Sequence, residues 1–224
     1  MKKLIFIMSL LILSTVVSYI PKAEQLDKKE KVILIDPGHG GMDGGASGKD
    51  GTLEKDINLS IAKKLEQELK KLNYKVILTR TSDIELHDEG GTIRHKKRED
   101  LQNRNKMIGD TGCDMFISIH LNFFPQTQYY GAQVWYADNK KSENCGNLMQ
   151  DVLKEMIDKN NNRMAKNAGD KYIILKNPKD IPEIIVECGF LSNEAEREKL
   201  KSDQYQQKIA STICHGAEIY FSNE

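Results

Sequence analysis

The sequence predicts an α/β fold: a single domain with a mostly parallel, doubly wound central sheet flanked by helices. Short apolar runs rich in β-branched residues alternate with longer segments of helical periodicity, which is typical of this class. The chain of 224 residues is long enough for one sizeable core and short for two. Lys plus Arg and Asp plus Glu each total 33, so the overall charge gives no support to a nucleic-acid partner.

Residues 1–22 predict export. A basic Met1-Lys2-Lys3 start precedes an uncharged apolar run over 4–20, which is the layout of a secretory signal and also approaches the length of a membrane-spanning helix. No small-residue cleavage site follows, so we predict a signal peptide or a membrane anchor, and membrane contact only through this segment. Residues 23–31 are predicted as a charged linker and 32–221 as the folded domain.

The predicted strands are short apolar segments bounded by turn residues. The first, over 32–35, is apolar throughout, as expected for a strand buried on both faces. The predicted strands are 32–35, 74–79, 115–119, 131–136, 172–175 and 183–186.

The predicted helices carry apolar residues three and four positions apart. The clearest begins at Glu54, and Thr52 is placed to cap its start. Residues 81–97 are expected to form a long polar loop with a basic run. The remaining helices are predicted at 99–108, ended by Gly109 or Gly112, and at 142–159, 195–200 and 204–221.

A glycine-rich loop, DPGHGGMDGGA, follows the first strand at 36–46. It does not match a P-loop, because Gly44 and Gly48 are too close together and Asp50 follows the lysine. It does not complete the dinucleotide fingerprint either, because Asp43 stands where the third glycine belongs. Its two aspartates would also repel a phosphate, so nucleotide binding is disfavoured.

Four residues with metal and proton-transfer chemistry fall near strand ends or at a helix start. In a doubly wound sheet, ligands bind beyond the carboxyl ends of the strands, so these residues are expected to meet at one edge. Two imidazoles and a carboxylate would make a three-ligand zinc site with a position open for water, and the second carboxylate would serve as a base. The residues alone leave a structural role for each histidine equally open. The proposed ligands are His39, Glu54 and His120, and the proposed base is Glu187.

The other histidines and the cysteines are assigned no catalytic role. His87, His95 and His215 lie in a loop or a terminal helix and are interpreted as solvated or packing residues. The cysteines are widely spaced without a CxxC pair, which favours buried free thiols over disulfides or a zinc ribbon. They are Cys113, Cys145, Cys188 and Cys214.

Over 32–221 the chain resembles the zinc-dependent N-acetylmuramoyl-L-alanine amidases of the DPGHGG type. The matching segments are IDPGHGG at 35–41, EKDINL at 54–59, SIHLN at 118–122 and ECGFLSN at 187–193. The resemblance implies a catalytic domain that binds Zn²⁺ through His39, Glu54 and His120 and uses Glu187 as its catalytic residue. Its reaction would be hydrolysis of the amide between N-acetylmuramic acid and the L-alanine of the peptidoglycan stem peptide.

The segment 92–97 with Asp100, Leu101 and Arg104 is similar to the sporulation branch of that family. This similarity implies action on spore-cortex peptidoglycan, supporting muramic lactam formation and germination. The location would be extracytoplasmic or cell-wall associated, in the intermembrane space of the forespore. A solvated basic loop explains the basic run equally well.

Several further expectations remain open between alternatives. Asn122 is expected either to bind substrate or to hold the loop backbone, and Phe123 and Phe124 either to line the groove or to join the core. Asp36 and Asp43 are expected to orient the His39 imidazole. An accessory regulatory protein is expected because the chain shows no obvious autoinhibitory insert. The rival functions are another zinc peptidoglycan hydrolase, such as a carboxypeptidase, and a silent peptidoglycan-binding domain.

Overall fold

The computed structural model describes residues 30–88 and 90–223. The predicted signal peptide or anchor at 1–22, and all but the end of the predicted linker, lie outside the described residues. Lys31–Glu224 forms one compact unit, and the predicted domain bounds of 32–221 stay a prediction. Within the part of the chain that is described, no helix combines the length and apolarity needed to cross a bilayer.

A six-stranded sheet forms the centre of the domain, in the order β2-β1-β3-β6-β4-β5. The first four strands in this order run parallel, β4 runs antiparallel to β6, and β5 runs parallel to β4. The predicted mostly parallel sheet is therefore confirmed. The strands are β1 Val32–Pro37, β2 Lys75–Leu78, β3 Met115–Asn122, β4 Gln133–Tyr136, β5 Lys166–Asn167 and β6 Glu183–Phe190.

Five described α-helices cover the two faces of the sheet, together with a short 3-10 helix at Ile173–Leu175. Strands β2 and β3 lie on opposite sides of β1, so right-handed crossovers place the first two helices on opposite faces. This arrangement is the predicted doubly wound topology. The helices are α1 Glu54–Lys71, α2 Ile93–Thr111, α3 Lys140–Met156, α4 Glu194–Lys201 and α5 Asp203–Ser222.

Each face of the sheet has its own apolar core. The larger core joins the sheet to α1, α3 and α5, and includes Ile61, Met149 and Ile213. The smaller core lies under α2 and the 3-10 helix, around Ile108 and Ile174. All four cysteines are buried and none forms a disulfide in the described part of the chain, as predicted.

The predicted boundary between the loop at 81–97 and the helix at 99–108 was wrong. The predicted loop at 81–97 ends earlier, because α2 begins at Ile93 with the Thr92 hydroxyl accepting a hydrogen bond from the His95 backbone nitrogen at 3.3 Å. Only Arg104 and Ile108 of α2 are buried, so this helix has little of the apolar periodicity that reveals a helix. Its predicted end is confirmed by Gly112, which has a left-handed φ of 61°.

Two more local predictions were wrong. The segment predicted as a strand at 172–175 contains the 3-10 helix Ile173–Leu175 instead. The strand at the edge of the sheet beside β4 is the two-residue β5, which is too short to show a pattern. Thr52 does not cap α1, because the N-cap residue is Leu53 and it makes no side-chain cap. The Thr52 carbonyl instead accepts a hydrogen bond from the Gly48 backbone nitrogen at 2.8 Å, which holds Thr52 in the loop.

Candidate metal and catalytic site

The DPGHGG loop leaves β1 and turns sharply at His39, a non-glycine residue with a φ of 63°. This left-handed conformation is uncommon for a residue with a Cβ and needs support from its surroundings. Support comes from Arg104 of α2, whose Nη2 donates to the His39 carbonyl oxygen at 2.8 Å. Arg80 also donates to the Pro37 and Gly38 carbonyls. Two buried guanidinium groups thus fix the loop through its backbone.

Asp43 orients the His39 imidazole, as predicted. The His39 Nδ1 lies 2.9 Å from the Asp43 Oδ2, which leaves Nε2 facing Glu54. The Lys97 ammonium donates to the other Asp43 oxygen at 2.8 Å. Hydrogen bonding to His39, more than to Lys97, holds the pKa of Asp43 well below its usual range.

The expected contact between Asp36 and the imidazole is absent among the described residues. Asp36 is fully buried and accepts hydrogen bonds from Arg104 at 2.7 Å, Thr79 at 2.6 Å and Ser118 at 2.6 Å. Burial alone would raise the pKa of Asp36, but the Arg104 charge and the two hydroxyls lower it below its usual value. Asp36 therefore acts on His39 through Arg104 and not directly.

Glu54, the first residue of α1, brings the two histidines together. Its Oε1 lies 3.0 Å from His120 Nδ1 and 3.3 Å from His39 Nε2. The backbone nitrogens of Leu121 and Ala46 donate to its two oxygens at 2.9 and 2.8 Å. Burial would raise the pKa of Glu54, but hydrogen bonds from His120 and His39 hold it well below its usual range.

The donor atoms of His39, Glu54 and His120 all lie within 4.8 Å of one another, so this set could hold a metal ion. Two imidazole nitrogens and one carboxylate oxygen are a donor set that suits zinc. Without a metal, Asp43 and Glu54 raise the pKa of His39 to about 9, against the opposing effect of burial. A metal ion would therefore replace a proton at this position.

Glu187 lies beside the histidine pair, because β6 pairs with β3 in the register that sets Glu187 opposite His120. Both residues are internal to their strands, which run further than predicted, to Asn122 and Phe190. Glu187 is 8% exposed, and no described residue hydrogen-bonds its Oε2. Burial raises the pKa of Glu187 to about 7. A carboxyl group that titrates near neutrality is suited to proton transfer.

The two phenylalanines that follow β3 were expected either to line the groove or to join the core. Phe123 and Phe124 are 46% and 44% exposed, so they line the surface beside the site and do not join the core. Phe124 stacks on Phe190, with a centroid distance of 5.8 Å. The Asn122 Oδ1 accepts a hydrogen bond from the Phe123 backbone nitrogen at 2.9 Å, which agrees with a role in holding the loop. A substrate contact by Asn122 stays a prediction.

Sequence patterns did not reveal the buried residues that support the site. Asn58, one turn after Glu54, donates its Nδ2 to the Gly38 carbonyl at 3.2 Å and approaches Glu54 Oε1 at 3.4 Å. Asn58 could have been predicted from the sequence, because it lies one helical turn after the proposed ligand Glu54. Arg80 carried no such signal, because its role depends on the folded path of the loop.

Fold and site together define an α/β protein with a His-Glu-His set able to hold a metal ion and a buried carboxylate beside it. The family model for N-acetylmuramoyl-L-alanine amidase matches residues 33–218, so the chain belongs to that family. The family resemblance drawn from the sequence motifs is thereby confirmed.

Individual relatives agree with this assignment. The chain is 38% identical over 196 residues to the germination-specific N-acetylmuramoyl-L-alanine amidase of Bacillus subtilis, covering 87% of this chain and 81% of the relative. A solved structure of the CwlD amidase from Clostridioides difficile, in complex with the GerS lipoprotein, is 44% identical with a TM-score of 0.83. It matches 87% of this chain and 100% of that one. An N-acetylmuramoyl-L-alanine amidase from Clostridium difficile 630 is 28% identical with a TM-score of 0.74, covering 87% and 98%.

Proposed function

We propose that the protein is a zinc-dependent hydrolase that cleaves the amide between N-acetylmuramic acid and L-alanine in peptidoglycan. One observation carries the proposal: the His39, Glu54 and His120 donors converge within 4.8 Å, and a buried carboxylate with an unpaired oxygen, Glu187, lies on the neighbouring strand. Binding alone would not need a buried carboxylate beside a metal set.

His39, Glu54 and His120 are the residues that would hold the metal. A bound zinc ion would supply Lewis acidity, which polarises a carbonyl and lowers the pKa of a water molecule. Glu187 would accept a proton from the attacking water and return it to the nitrogen of the leaving L-alanine. Its pKa of about 7 lets it gain and lose this proton near neutral pH.

The protein's own contacts preorganise this set. Asp43 fixes the His39 ring, so that Nε2 faces the site. Asn58 and the Leu121 backbone nitrogen hold the Glu54 carboxylate. Such hydrogen bonds behind the ligands keep them in place before the ion arrives.

The test compares two substitutions. We expect Glu187→Ala to retain zinc and lose hydrolysis, and His120→Ala to lose both. Zinc content by mass spectrometry and turnover of a soluble muropeptide are the two readouts. The control is Leu72→Ala, an exposed position at the end of α1 away from Glu54. Full hydrolysis by Glu187→Ala would refute the mechanism.

The reaction products distinguish an amidase from the two rival functions, a carboxypeptidase and a silent peptidoglycan-binding domain. An amidase releases a whole stem peptide from the sugar, whereas a carboxypeptidase releases only a terminal amino acid. A silent binding domain would release nothing when zinc is added. Product masses therefore distinguish the three.

The substrate we propose is spore-cortex peptidoglycan. Support comes from the germination-specific relative at 38% identity and from the segment 92–97, which opens α2 beside the metal loop. We expect spores lacking this protein to contain cortex without muramic lactam and to fail in germination. Normal muramic lactam in such spores would contradict the cortex assignment.

Export and an accessory protein complete the proposal. Peptidoglycan lies outside the cytoplasm, so residues 1–22 would carry the chain across the membrane, into the space around the forespore. The CwlD structure contains a lipoprotein partner, and we propose that a protein partner likewise controls this chain. Full zinc occupancy and full activity of the isolated chain would count against a required partner.

A further inference from the structure

The proposed catalytic residues occupy one end of a row that continues across the sheet edge. His120 on β3 faces Glu187 on β6, and Glu187 faces Gln133 on β4. Beyond Gln133 lies the segment that leads into β5, including Arg163. Paired residues of antiparallel strands have Cβ atoms about 5 Å apart. The Arg163 Nη1 lies 3.2 Å from the side-chain oxygen of Gln133, so the guanidinium lies about 10 Å from Glu187.

Arg163 is positioned in this row by two hydrogen bonds to neutral groups and by an aromatic ring. Its Nε donates to the Tyr130 carbonyl at 2.7 Å, and its Nη1 donates to the Gln133 side-chain oxygen at 3.2 Å. Its guanidinium carbon lies 4.4 Å from the centroid of the Phe190 ring. The side chain is therefore positioned by hydrogen bonds that leave its charge without a directly bonded carboxylate.

No described carboxylate forms a salt bridge with Arg163, although the Glu196 carboxylate lies close enough to interact with its charge. The Glu196 oxygens accept hydrogen bonds from the Gly131 and Phe190 backbone nitrogens instead. Of the two buried arginines that contact the metal loop, Arg104 forms salt bridges with Asp36 and Asp100. Arg80 donates to backbone carbonyls. Arg163 is only half-buried, and Nη2 finds no acceptor among residues 30–88 and 90–223. A fixed cation with a free donor at the edge of the site is suited to an anionic group.

A surface cavity of about 240 Å³ adjoins this donor. Its walls combine two exposed tyrosine rings with amide side chains. They are Gln128, Tyr129, Tyr130, Asn161, Asn162 and Arg163. The cavity offers room for a peptide group beside the guanidinium, with amide side chains that can hydrogen-bond to it.

We propose that Arg163 binds the free carboxylate of the stem-peptide residue that follows L-alanine. This inference rests on the proposed amidase function. In the stem peptide the second residue is a glutamate linked through its side chain, so its α-carboxylate is free. At about 3.5 Å per extended residue, that carboxylate lies about 7 Å from the scissile nitrogen. The scissile nitrogen would lie beside Glu187, so this reach and a hydrogen bond of about 3 Å span the distance of about 10 Å to the Arg163 guanidinium.

The experiment uses the full chain with zinc and two soluble substrates. One is N-acetylmuramoyl-L-alanyl-D-isoglutamate, and the other carries the α-amide in place of the α-carboxylate. We expect Arg163→Gln to raise KM for the acid substrate about tenfold, as for the loss of one charge-assisted hydrogen bond, with kcat unchanged. For the amide substrate we expect no change.

The matched control is Arg98→Gln, the same chemical change on the exposed side of α2. We expect it to leave both KM values unchanged. Arg163→Lys keeps the charge and should recover part of the loss for the acid substrate. A purely structural role would instead raise KM equally on both substrates or lower kcat, and either result would overturn the proposal.

A binding measurement separates failure of this inference from failure of the amidase function. Calorimetry on the zinc-loaded Glu187→Gln chain compares the acid and amide ligands without turnover. We expect the acid to bind about tenfold more tightly, and we expect Arg163→Gln to remove that difference. Equal binding of acid and amide would overturn the role of Arg163, even if the wild-type chain hydrolyses both. If the wild-type chain hydrolyses neither substrate, but the Glu187→Gln chain still binds the acid more tightly than the amide, the amidase function alone is refuted.

Discussion

Glu183 allows a stability prediction that is independent of the metal set, because it opens β6 at the end of the strand away from Glu187. Its side chain is fully buried, and neither carboxylate oxygen has a hydrogen-bond partner among the described residues. Burial raises the pKa of Glu183 from 4.5 to about 8. A carboxyl whose pKa rises on folding contributes full stability below its unfolded pKa, and this contribution is lost as the pH rises towards 8.

The size of the stability change follows from the rise in the pKa of Glu183 on folding. One pKa unit corresponds to about 1.36 kcal/mol, so ionisation of Glu183 costs at most about 5 kcal/mol of unfolding free energy above pH 8 and about 3 kcal/mol at pH 7. Glu183→Gln keeps the shape of the neutral acid and cannot ionise. We therefore expect the variant to match the wild type at pH 4.5 and to exceed it by several kcal/mol at pH 8.

Urea unfolding of the metal-free chain at several pH values measures this difference. The single tryptophan, Trp135 on β4, reports the transition by fluorescence. Glu155→Gln, on the exposed side of α3, is the matched control and should shift stability by less than about 0.5 kcal/mol at any pH. A constant difference between Glu183→Gln and the wild type across pH would refute the reasoning.

Three further predictions concern the loop that carries His39. Gly38→Ala places a Cβ atom against the His120 imidazole, so zinc titration should show loss of binding while circular dichroism shows an intact fold. Asp43→Asn removes the charged partner of His39 and should weaken zinc affinity about 10- to 100-fold; unchanged affinity would exclude an orienting role. Asp36→Asn leaves the buried Arg104 charge without its partner there and should destabilise the chain by about 3–5 kcal/mol in urea; a loss below about 1 kcal/mol would contradict this.

The sequence predicted the elements that bury many apolar residues in a regular pattern. The strand β1 and the helix α1 are such elements, since most buried positions of each are aliphatic. The start of α2 was missed because the helix covers the sheet with few side chains, among them Arg104 and Ile108. The strand β5 was missed because a two-residue pairing depends on the neighbouring strand and not on its own composition.

The four central residues were predictable because their chemistry and their places along the alternating pattern coincide. His39, His120 and Glu187 all follow or end apolar runs, and parallel strands bring such positions to one edge. The supporting arginines were not predictable in the same way. Arg80 binds backbone carbonyls of the loop, and nothing in its local sequence distinguishes that role from exposure to solvent.

The most direct test of the account pairs zinc content with product masses for the wild-type chain and the Glu187→Ala variant at the same free zinc concentration. The account predicts about one zinc ion per chain in both proteins. It also predicts release of a whole stem peptide from cortex-type peptidoglycan by the wild type alone. Stem-peptide release by Glu187→Ala at the wild-type rate, or by the wild type after complete zinc removal, would contradict it.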